Sequence, residues 1–318
     1  MAFYLTDPAA THAGFTVPVS VRQSTVNLGA AGGTIYYEVP GDEKRGVLYV
    51  ESGSGDADTN YSTMLLASQQ DELDEGFSKI IFAPNSILGV YTDATLDLTD
   101  TELVIDPTAR LLVWGAITVP ATYEWKTFAR IDLKSEAATL FGSTLTTLST
   151  WLQFRTGGEY VTPGSFVIAT GGRLNHNQSA TSTVNFNVGG DFTIETNAWL
   201  DVTAYAKNTS QTACGVNTDT SKGYPTADSG GSHGGRGGPN KDKVDYTTPC
   251  VGSIYAPTLH GAAGNKGASG SVRLTVAGTT RVDGYLSAAG QPGDYAGSAG
   301  GSIILNTKYL VGETTGLI

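Results

Sequence analysis

The chain has 318 residues, of which 40% are hydrophobic and only 15% are charged, against roughly 25% charged residues in an average globular protein. Its net charge of −11, with 19 scattered lysines and arginines, argues against a nucleic-acid partner, because phosphate neutralisation needs clustered basic side chains. No apolar run approaches the ~20 residues that cross a membrane. The longest run, residues 111–117, already contains a glycine.

Residues 1–76 form an N-terminal region of extended segments separated by turn-forming residues. The stretches 15–21 (FTVPVSV), 34–39 (TIYYEV) and 46–51 (GVLYVE) are β-rich, so the region predicts a cap or accessory β segment. Residues 61–75 allow two interpretations, a short capping helix or a solvated acidic loop. The first eight residues lack the basic and apolar parts of a signal peptide, so none is expected in this chain.

From residue 77 onward an apolar spacing recurs. Two apolar residues lie two positions apart, and another one or two follow after a gap of about five residues that often contains turn-forming residues. Consecutive copies are 23 (Ile80 to Leu103) to 29 (Thr280 to Tyr309) residues apart. A strand repeat of this length is typical of a solenoid, so the sequence predicts an all-β chain with a parallel β-helix over residues 77–318.

The inward positions of these copies are expected to form stacked, buried rows. Four tryptophans lie beside the repeat and are interpreted as core or stacking residues, with sugar stacking as the alternative for an outward-facing ring. The residues predicted to be buried in the rows are Ile80, Ile105, Leu133, Ile168, Ile194, Val282 and Val311.

Residues 207–270 interrupt the repeat with a Gly-rich insertion. Cys214 and Cys250 bracket much of it, and a disulfide between them would stabilise a segment without a core of its own by roughly 3–4 kcal/mol. The alternative is two unrelated free thiols. Candidate glycosylation sites occur at Asn60, Asn177 and Asn208, at a frequency that a Ser- and Thr-rich chain reaches by chance. A disulfide and sequons together favour an extracellular location.

Several Gly-rich phrases recur in the second half of the chain, at residues 230–238 (GGSHGGRGG), 252–255 (GSIY), 270–274 (GSVRL), 282–290 (VDGYLSAAG) and 300–305 (GGSIIL). In these phrases the chain resembles the Gly-rich, pectin-lyase-like β-helix segments of large cell-surface proteins, over roughly residues 165–318. The resemblance implies a right-handed parallel β-helix, exposure outside the cell and non-catalytic roles.

The same fold hosts polysaccharide lyases and glycoside hydrolases, so an enzyme must be weighed. Asp219, His233 and Arg281 occur in the order of the motifs of polygalacturonase-like enzymes, but the Asp-Asp pair of that family is absent. No zinc-like spacing of His and Cys is present, and no cofactor is expected. Acidic turns, such as the one that contains Asp97 and Asp100, are compatible with Ca²⁺, although solvated aspartates are the simpler interpretation.

Two functions from different classes follow. The first is a non-enzymatic structural or adhesive subunit of an extracellular assembly, which joins copies of itself head to tail into a filament. The alternative is a glycan-binding or glycan-degrading β-helix. The filament hypothesis starts from the end of the repeat, which is expected to stop in mid-strand without a cap. An extended N-terminal segment of a neighbouring copy would then pair with that open strand edge. The competing explanation is a truncated domain whose continuation supplies the cap. The residues predicted for self-association are Val17, Val19, Val21, Ile35, Tyr37, Leu317 and Ile318.

Overall fold

The computed structural model describes residues 2–4, 33–41, 45–51, 63–119, 130–134, 147–148, 150–154, 158–176, 183–203, 258, 260–261, 269–292, 297–314 and 316–318. The described residues are mostly strands in parallel sheets, as predicted for an all-β chain. The chain divides into two compact units. Unit 1 comprises Met1–Leu145 and Thr150–Leu152, and unit 2 comprises Thr146–Ser149 and Gln153–Ile318.

Unit 1 contains eleven described strands and one short α-helix, which follows a 3-10 turn at Ala67–Gln69. These elements are β1 (Ala2–Tyr4), β2 (Gly33–Glu38), β3 (Val47–Glu51), β4 (Thr63–Leu65), α1 (Gln70–Glu75), β5 (Lys79–Phe82), β6 (Ile87–Val90), β7 (Thr95–Asp97), β8 (Glu102–Ile105), β9 (Arg110–Val113), β10 (Ala116–Thr118) and β11 (Arg130–Leu133).

Three ladders of paired strands organise unit 1. Ladder 1 runs β1-β2-β3-β5-β8, ladder 2 runs β4-β6-β9-β11, and ladder 3 pairs β7 with β10. Every pair with a defined register is parallel except β2 with β3, which is antiparallel. Strands β3 and β4 already pair in parallel with β5 and β6, so the repeating arrangement includes strands within residues 47–65, ahead of residue 77.

The helix resolves the two interpretations of residues 61–75. Helix α1 occupies only Gln70–Glu75, and Thr63–Leu65 is a strand. Leu73 is the buried anchor of the helix, while Asp71, Asp74 and Glu75 are exposed to solvent. The acidic residues therefore form the outer face of a short amphipathic turn of helix.

Unit 2 repeats the same scheme with three further ladders. Its strands are β12 (Thr147–Leu148), the part of β13 (Trp151–Phe154) from Gln153 on, β14 (Glu159–Thr162), β15 (Phe166–Ile168), β16 (Arg173–His176), β17 (Thr183–Val188), β18 (Phe192–Ile194), β19 (Trp199–Asp201), β20 (Ser271–Val276), β21 (Thr279–Val282), β22 (Tyr285–Ser287), β23 (Ile303–Asn306) and β24 (Tyr309–Val311).

From β14 onward the chain visits the three ladders in a fixed order. Ladder 4 is β14-β17-β20-β23, ladder 5 is β12-β15-β18-β21-β24, and ladder 6 is β13-β16-β19-β22. Each strand from β14 to β21 therefore pairs with the strand three elements later, and all the defined registers are parallel. We call each set of three consecutive strands, one from each ladder, a tier.

The core of unit 2 is a stack of inward-facing residues that recurs from tier to tier. Phe166 and Phe192 lie in register in ladder 5, and their rings stack at 6.0 Å with an angle of 11° between their planes. Phe186 of ladder 4 packs edge-on against Phe166 at 4.9 Å. All three rings are fully buried, and each contributes roughly 1.5–3 kcal/mol through removal of apolar surface from water.

Most of the predicted rows are confirmed. Ile80, Leu133, Ile168, Ile194 and Val282 are buried. Ile105 was predicted to be buried but is only half-buried; it pairs with Phe82 and lies on β8, the last described strand of ladder 1.

The prediction for Val311 is wrong. The structure pairs Val311 with Arg281 and pairs Leu310 with the buried Thr280, so Leu310 takes the inward row and Val311 faces outward. A shift of one residue along a strand moves every side chain to the opposite face, which explains why Val311 is exposed.

Side chains at the corners tie successive tiers together. Ser165 Oγ accepts a hydrogen bond from the backbone N–H of Asp191 at 2.9 Å, and Asp191 Oδ1 accepts one from the N–H of Thr279 at 2.7 Å. These three residues follow one another at the same corner of successive tiers. The corners thus satisfy backbone donors that the ladders themselves leave unpaired.

Candidate functional site

The C-terminal tier, which consists of β23, β24 and residues 317–318, carries several exposed apolar side chains. Leu317 forms a parallel bridge with Tyr285, so this tier reaches all three ladders of unit 2. Five large hydrophobic side chains are between 44% and 67% exposed: Tyr309, Leu310, Val311, Leu317 and Ile318. Exposed apolar side chains that are close along the chain make this tier a candidate contact site.

The tier below shows what these positions bury when they are covered. Val272 and Leu274, which pair with Ile303 and Leu305, are buried, and so is Thr280, which pairs with Leu310. In the C-terminal tier Ile303 and Leu305 are half-buried, whereas Leu310 is 52% exposed. Of the two strands of the tier, β24 therefore has the more exposed inward side chain.

Strand β24 is held in place by an ion-pair network with the preceding tier. Arg281 Nε donates to Asp283 Oδ2 at 2.6 Å, and Arg281 Nη2 donates to Glu313 Oε1 at 2.7 Å. The backbone N–H of Glu313 donates to Asp283 Oδ1 at 2.8 Å. The Arg281 hydrogen bond lowers the pKa of the Asp283 carboxyl, and the same contact raises the pKa of Arg281.

The same network contains Arg281. Of Asp219, His233 and Arg281, the three residues suggested for a polygalacturonase-like enzyme, it is the only one that the structure describes. Its guanidinium pairs with two carboxylates of its own chain, Asp283 and Glu313, and the second of these links it to the residues that follow β24. Asp219 and His233 lie outside the described residues. The described part of the chain brings no second motif of that alternative to Arg281.

The glycine pair that follows β24 fixes its position. A Cβ on Gly312 would lie 2.3 Å from the carbonyl oxygen of Val282, and one on Gly316 would lie 2.1 Å from the same oxygen. Only glycine fits at both positions. The backbone can therefore turn closely over Val282 and carry Leu317 to ladder 6.

In unit 1, by contrast, the edge of ladder 3 is covered. The side-chain amide of Gln70 in α1 accepts a hydrogen bond from the N–H of Thr95 at 2.8 Å and donates one to the carbonyl of Thr95 at 3.1 Å. The amide thus reproduces the pair of bonds that a neighbouring strand would make to β7. This closure is a means of blunting an edge strand.

Two residues predicted for self-association lie within ladder 1. Ile35 and Tyr37 belong to β2, which pairs with β1 on one edge and with β3 on the other. Ile35 is buried and Tyr37 is half-buried. Because both edges of β2 are used within its own sheet, this strand has no free edge to offer a neighbour. Val17, Val19 and Val21 lie outside the described residues.

The remaining sequence candidates also fall outside the part that the structure describes: Cys214, Cys250, Asn60, Asn177 and Asn208. Asp97 and Asp100 are exposed, and Asp97 Oδ1 accepts the N–H of Thr99 at 2.8 Å as in a solvated turn. Among the described residues, no group of three or more His, Cys, Asp or Glu could hold a metal ion.

Sequence reasoning missed a buried ion cluster in ladder 2. Asp132 is fully buried, with Oδ2 at 2.9 Å from Arg110 Nη2 and Oδ1 at 3.0 Å from Arg130 Nε. The Arg130 guanidinium also lies over the Trp151 ring, 5.1 Å from its centroid. The signal for it was the pairing of Arg110 and Arg130 at equivalent positions of adjacent copies, with an aspartate two residues on.

The tryptophans contribute to stacking between strands. In unit 2 the Trp199 and Tyr285 rings are in register, 5.9 Å apart and within 6° of parallel, and the Arg173 guanidinium lies 5.5 Å from the Trp199 centroid. Both faces of Trp199 are therefore occupied by its own chain. This favours the stacking interpretation for Trp199 over the sugar platform.

The part of the chain that the structure describes contains no helix long and apolar enough to cross a membrane. In comparisons with protein families, with curated proteins and with solved structures, nothing matches the chain.

Proposed function

We propose that this chain is a non-enzymatic structural or adhesive subunit of an extracellular assembly, and that it joins copies of itself head to tail into a filament. The observation that carries the proposal is the C-terminal tier, where Leu310, Leu317 and Ile318 are exposed beside a strand edge without a partner among the described residues. A sheet edge flanked by apolar side chains is a template for a strand from another chain.

The architecture that we propose is a right-handed parallel β-helix. Its support is the fixed order in which the chain visits ladders 4, 5 and 6, together with the parallel pairing of each strand with the one three elements later. In this architecture residues 207–270 are a side loop closed by a Cys214–Cys250 disulfide, and the first strands act as an N-terminal cap. A Cys214–Cys250 disulfide, which we propose, and glycosylation at the three sequons would both suit a location outside the cell.

The proposed head-to-tail contact follows from a difference between two strand edges, that of β7 in unit 1 and that of β24 in unit 2. Helix α1 covers the edge of β7 through Gln70, whereas β24 has nothing comparable among the described residues. A contact between two unlike surfaces is heterologous, and it generates a filament when its rotation does not close a ring. The donor is the N-terminal extended region, and the acceptor is the C-terminal tier.

The test is assembly of the full chain, measured by sedimentation velocity and electron microscopy over a range of concentrations. Leu310→Asp should abolish assembly while the circular dichroism spectrum remains that of the unmodified chain. Val161→Asp is the matched control, because Val161 is 51% exposed on β14, away from the tier, against 52% for Leu310. A chain that stays monomeric at high concentration, or equal assembly in both variants, would refute the proposal.

A further inference from the structure

We infer that unit 2 carries its inserted sequence at one corner, where the chain passes from ladder 6 to ladder 4. Residues 203–270, which we call the insert, are then a segment that the tiers present at this corner and do not need for their own folding. Solenoids place such insertions, and often their binding loops, on one face. The inference goes beyond the proposed self-association and holds whether or not copies of the chain associate.

The connections that leave ladder 6 differ widely in length, and the other connections of unit 2 do not. From ladder 4 to ladder 5, and from β15, β18 and β21 to ladder 6, every connection has two to four residues. From ladder 6 to ladder 4 the chain instead takes residues 155–158, 177–182, 202–270 and 288–302. Added chain is therefore accommodated at this corner and at neither of the other two.

Unit 1 follows the same rule in the part of the chain from β4 to β9. Its connections from ladder 2 to ladder 1 are residues 66–78, which contain α1, and residues 91–101, which contain β7. Its connections from ladder 1 to ladder 2 are the short residues 83–86 and 106–109. In each unit, extra elements thus follow the same step of the repeat.

Described contacts bring the two ends of the insert together. The N–H of Gly270 donates to the carbonyl oxygen of Val202 at 2.8 Å, so the chain returns to the point from which it left. Both ends are also bonded to the next tier: the N–H of Val202 donates to the carbonyl of Ser287 at 2.9 Å, and Ser269 Oγ donates to the carbonyl of Ala288 at 2.7 Å. Residues 204–257 lie outside the described residues, and the inference uses only these ends.

The strands on either side of the insert stack as if it were a short turn. Strand β20 pairs with β17 over its whole length, from Ser271 with Thr183 to Val276 with Val188. The inward side chains of both strands are buried: Val184, Phe186, Val188, Val272, Leu274 and Val276. Because β17 reaches this register through residues 177–182 alone, a connection of that length is enough to close a tier.

Exchange of the insert for the connection one tier earlier tests the inference. Residues 203–270 are replaced by the sequence of residues 177–182, since Val202 lies at the position of His176 and Ser271 at that of Thr183. Amide hydrogen exchange, read by mass spectrometry, should stay within about two-fold of the full chain over residues 271–276. Thermal unfolding followed by circular dichroism should remain a single transition. A variant that does not fold, or that loses protection over 271–276, would overturn the inference.

A second pair of variants lengthens the chain and removes nothing. A flexible Gly/Ser segment of about twelve residues is placed inside the insert, between Gly238 and Pro239, or in a short corner, between Gly189 and Gly190. The first should leave the Tm unchanged. The second should lower it by about 2 °C or more, because the N–H of Gly189 donates to the carbonyl of Thr162 in a connection of fixed length. Equal changes in Tm would show that the corner between ladders 6 and 4 is not special, and neither readout depends on assembly.

Discussion

Thr280 is a polar residue in an apolar row, and its replacement by valine should stabilise the chain. The side chain is fully buried in register with Phe192 and Leu310, and Oγ1 has no hydrogen-bond partner among the described residues. A buried hydroxyl without a partner costs about 1–3 kcal/mol, and valine keeps nearly the same shape without that hydroxyl. We expect Thr280→Val to raise the free energy of unfolding by about 1 kcal/mol.

Calorimetry and urea denaturation measure this change, which corresponds to a rise in Tm of roughly 2 °C for a chain of this size. Thr307 provides the control, because its Oγ1 lies 3.0 Å from the carbonyl oxygens of both Gly278 and Tyr309. Thr307→Val removes a hydroxyl that is bonded and should lower the free energy of unfolding by about 1 kcal/mol. The reasoning is refuted if Thr280→Val destabilises the chain as much as Thr307→Val does.

Three further predictions concern polar contacts. Asp132→Ala should destabilise the chain by about 3 kcal/mol in urea denaturation, because it leaves two partly buried arginines without their counter-ion. The Arg281 hydrogen bond lowers the pKa of Asp283 in the folded state. The stability that this ion pair contributes is therefore complete above the pKa of the unfolded chain, about 3.9. It is lost as the pH falls through the lower pKa of the folded chain. The stability of Asp283→Asn should therefore vary less with pH below about pH 4 than that of the unmodified chain, and equal slopes would contradict this. Gln70→Ala should speed amide hydrogen exchange at Thr95, whereas exchange unchanged from the unmodified chain would show that the amide pairing does not protect the edge of β7.

The spacing of apolar residues predicted the all-β fold class because it directly reflects the number of residues in one tier. It failed at β24 for a specific reason. In the sequence 309–312 (YLVG) the residues Tyr309 and Val311 are apolar, but so is Leu310 between them, so alternation alone does not determine the face. In the structure, Gly312 lies one position beyond Val311 and fits closely over the Val282 carbonyl, which is compatible with only one of the two faces for Val311 if the backbone keeps this approach. That steric constraint comes from a residue 30 positions earlier and leaves no local signal.

The side-chain contacts of Gln70 were beyond prediction for a related reason. Its amide replaces a strand by bonding both backbone groups of Thr95, 25 residues away. Nothing in the local sequence distinguishes this glutamine from a solvent-exposed one, because the partner is backbone and has no residue identity. Asp132 is different, since its partners Arg110 and Arg130 occupy equivalent positions in adjacent copies of the repeat. Comparing outward positions between copies would have predicted that cluster.

The treatment of strand edges gives the strongest argument for a directional assembly. An exposed edge invites unwanted pairing, and this chain blunts one such edge in unit 1 by placing a helix and a side-chain amide against β7. In unit 2, the edge of β24 carries no such cover among the described residues and is flanked by Leu310 and Leu317, both exposed. This difference between the two edges supports the contact at β24 that we propose. In the head-to-tail assembly that we propose, unlike surfaces at donor and acceptor would give every contact the same polarity.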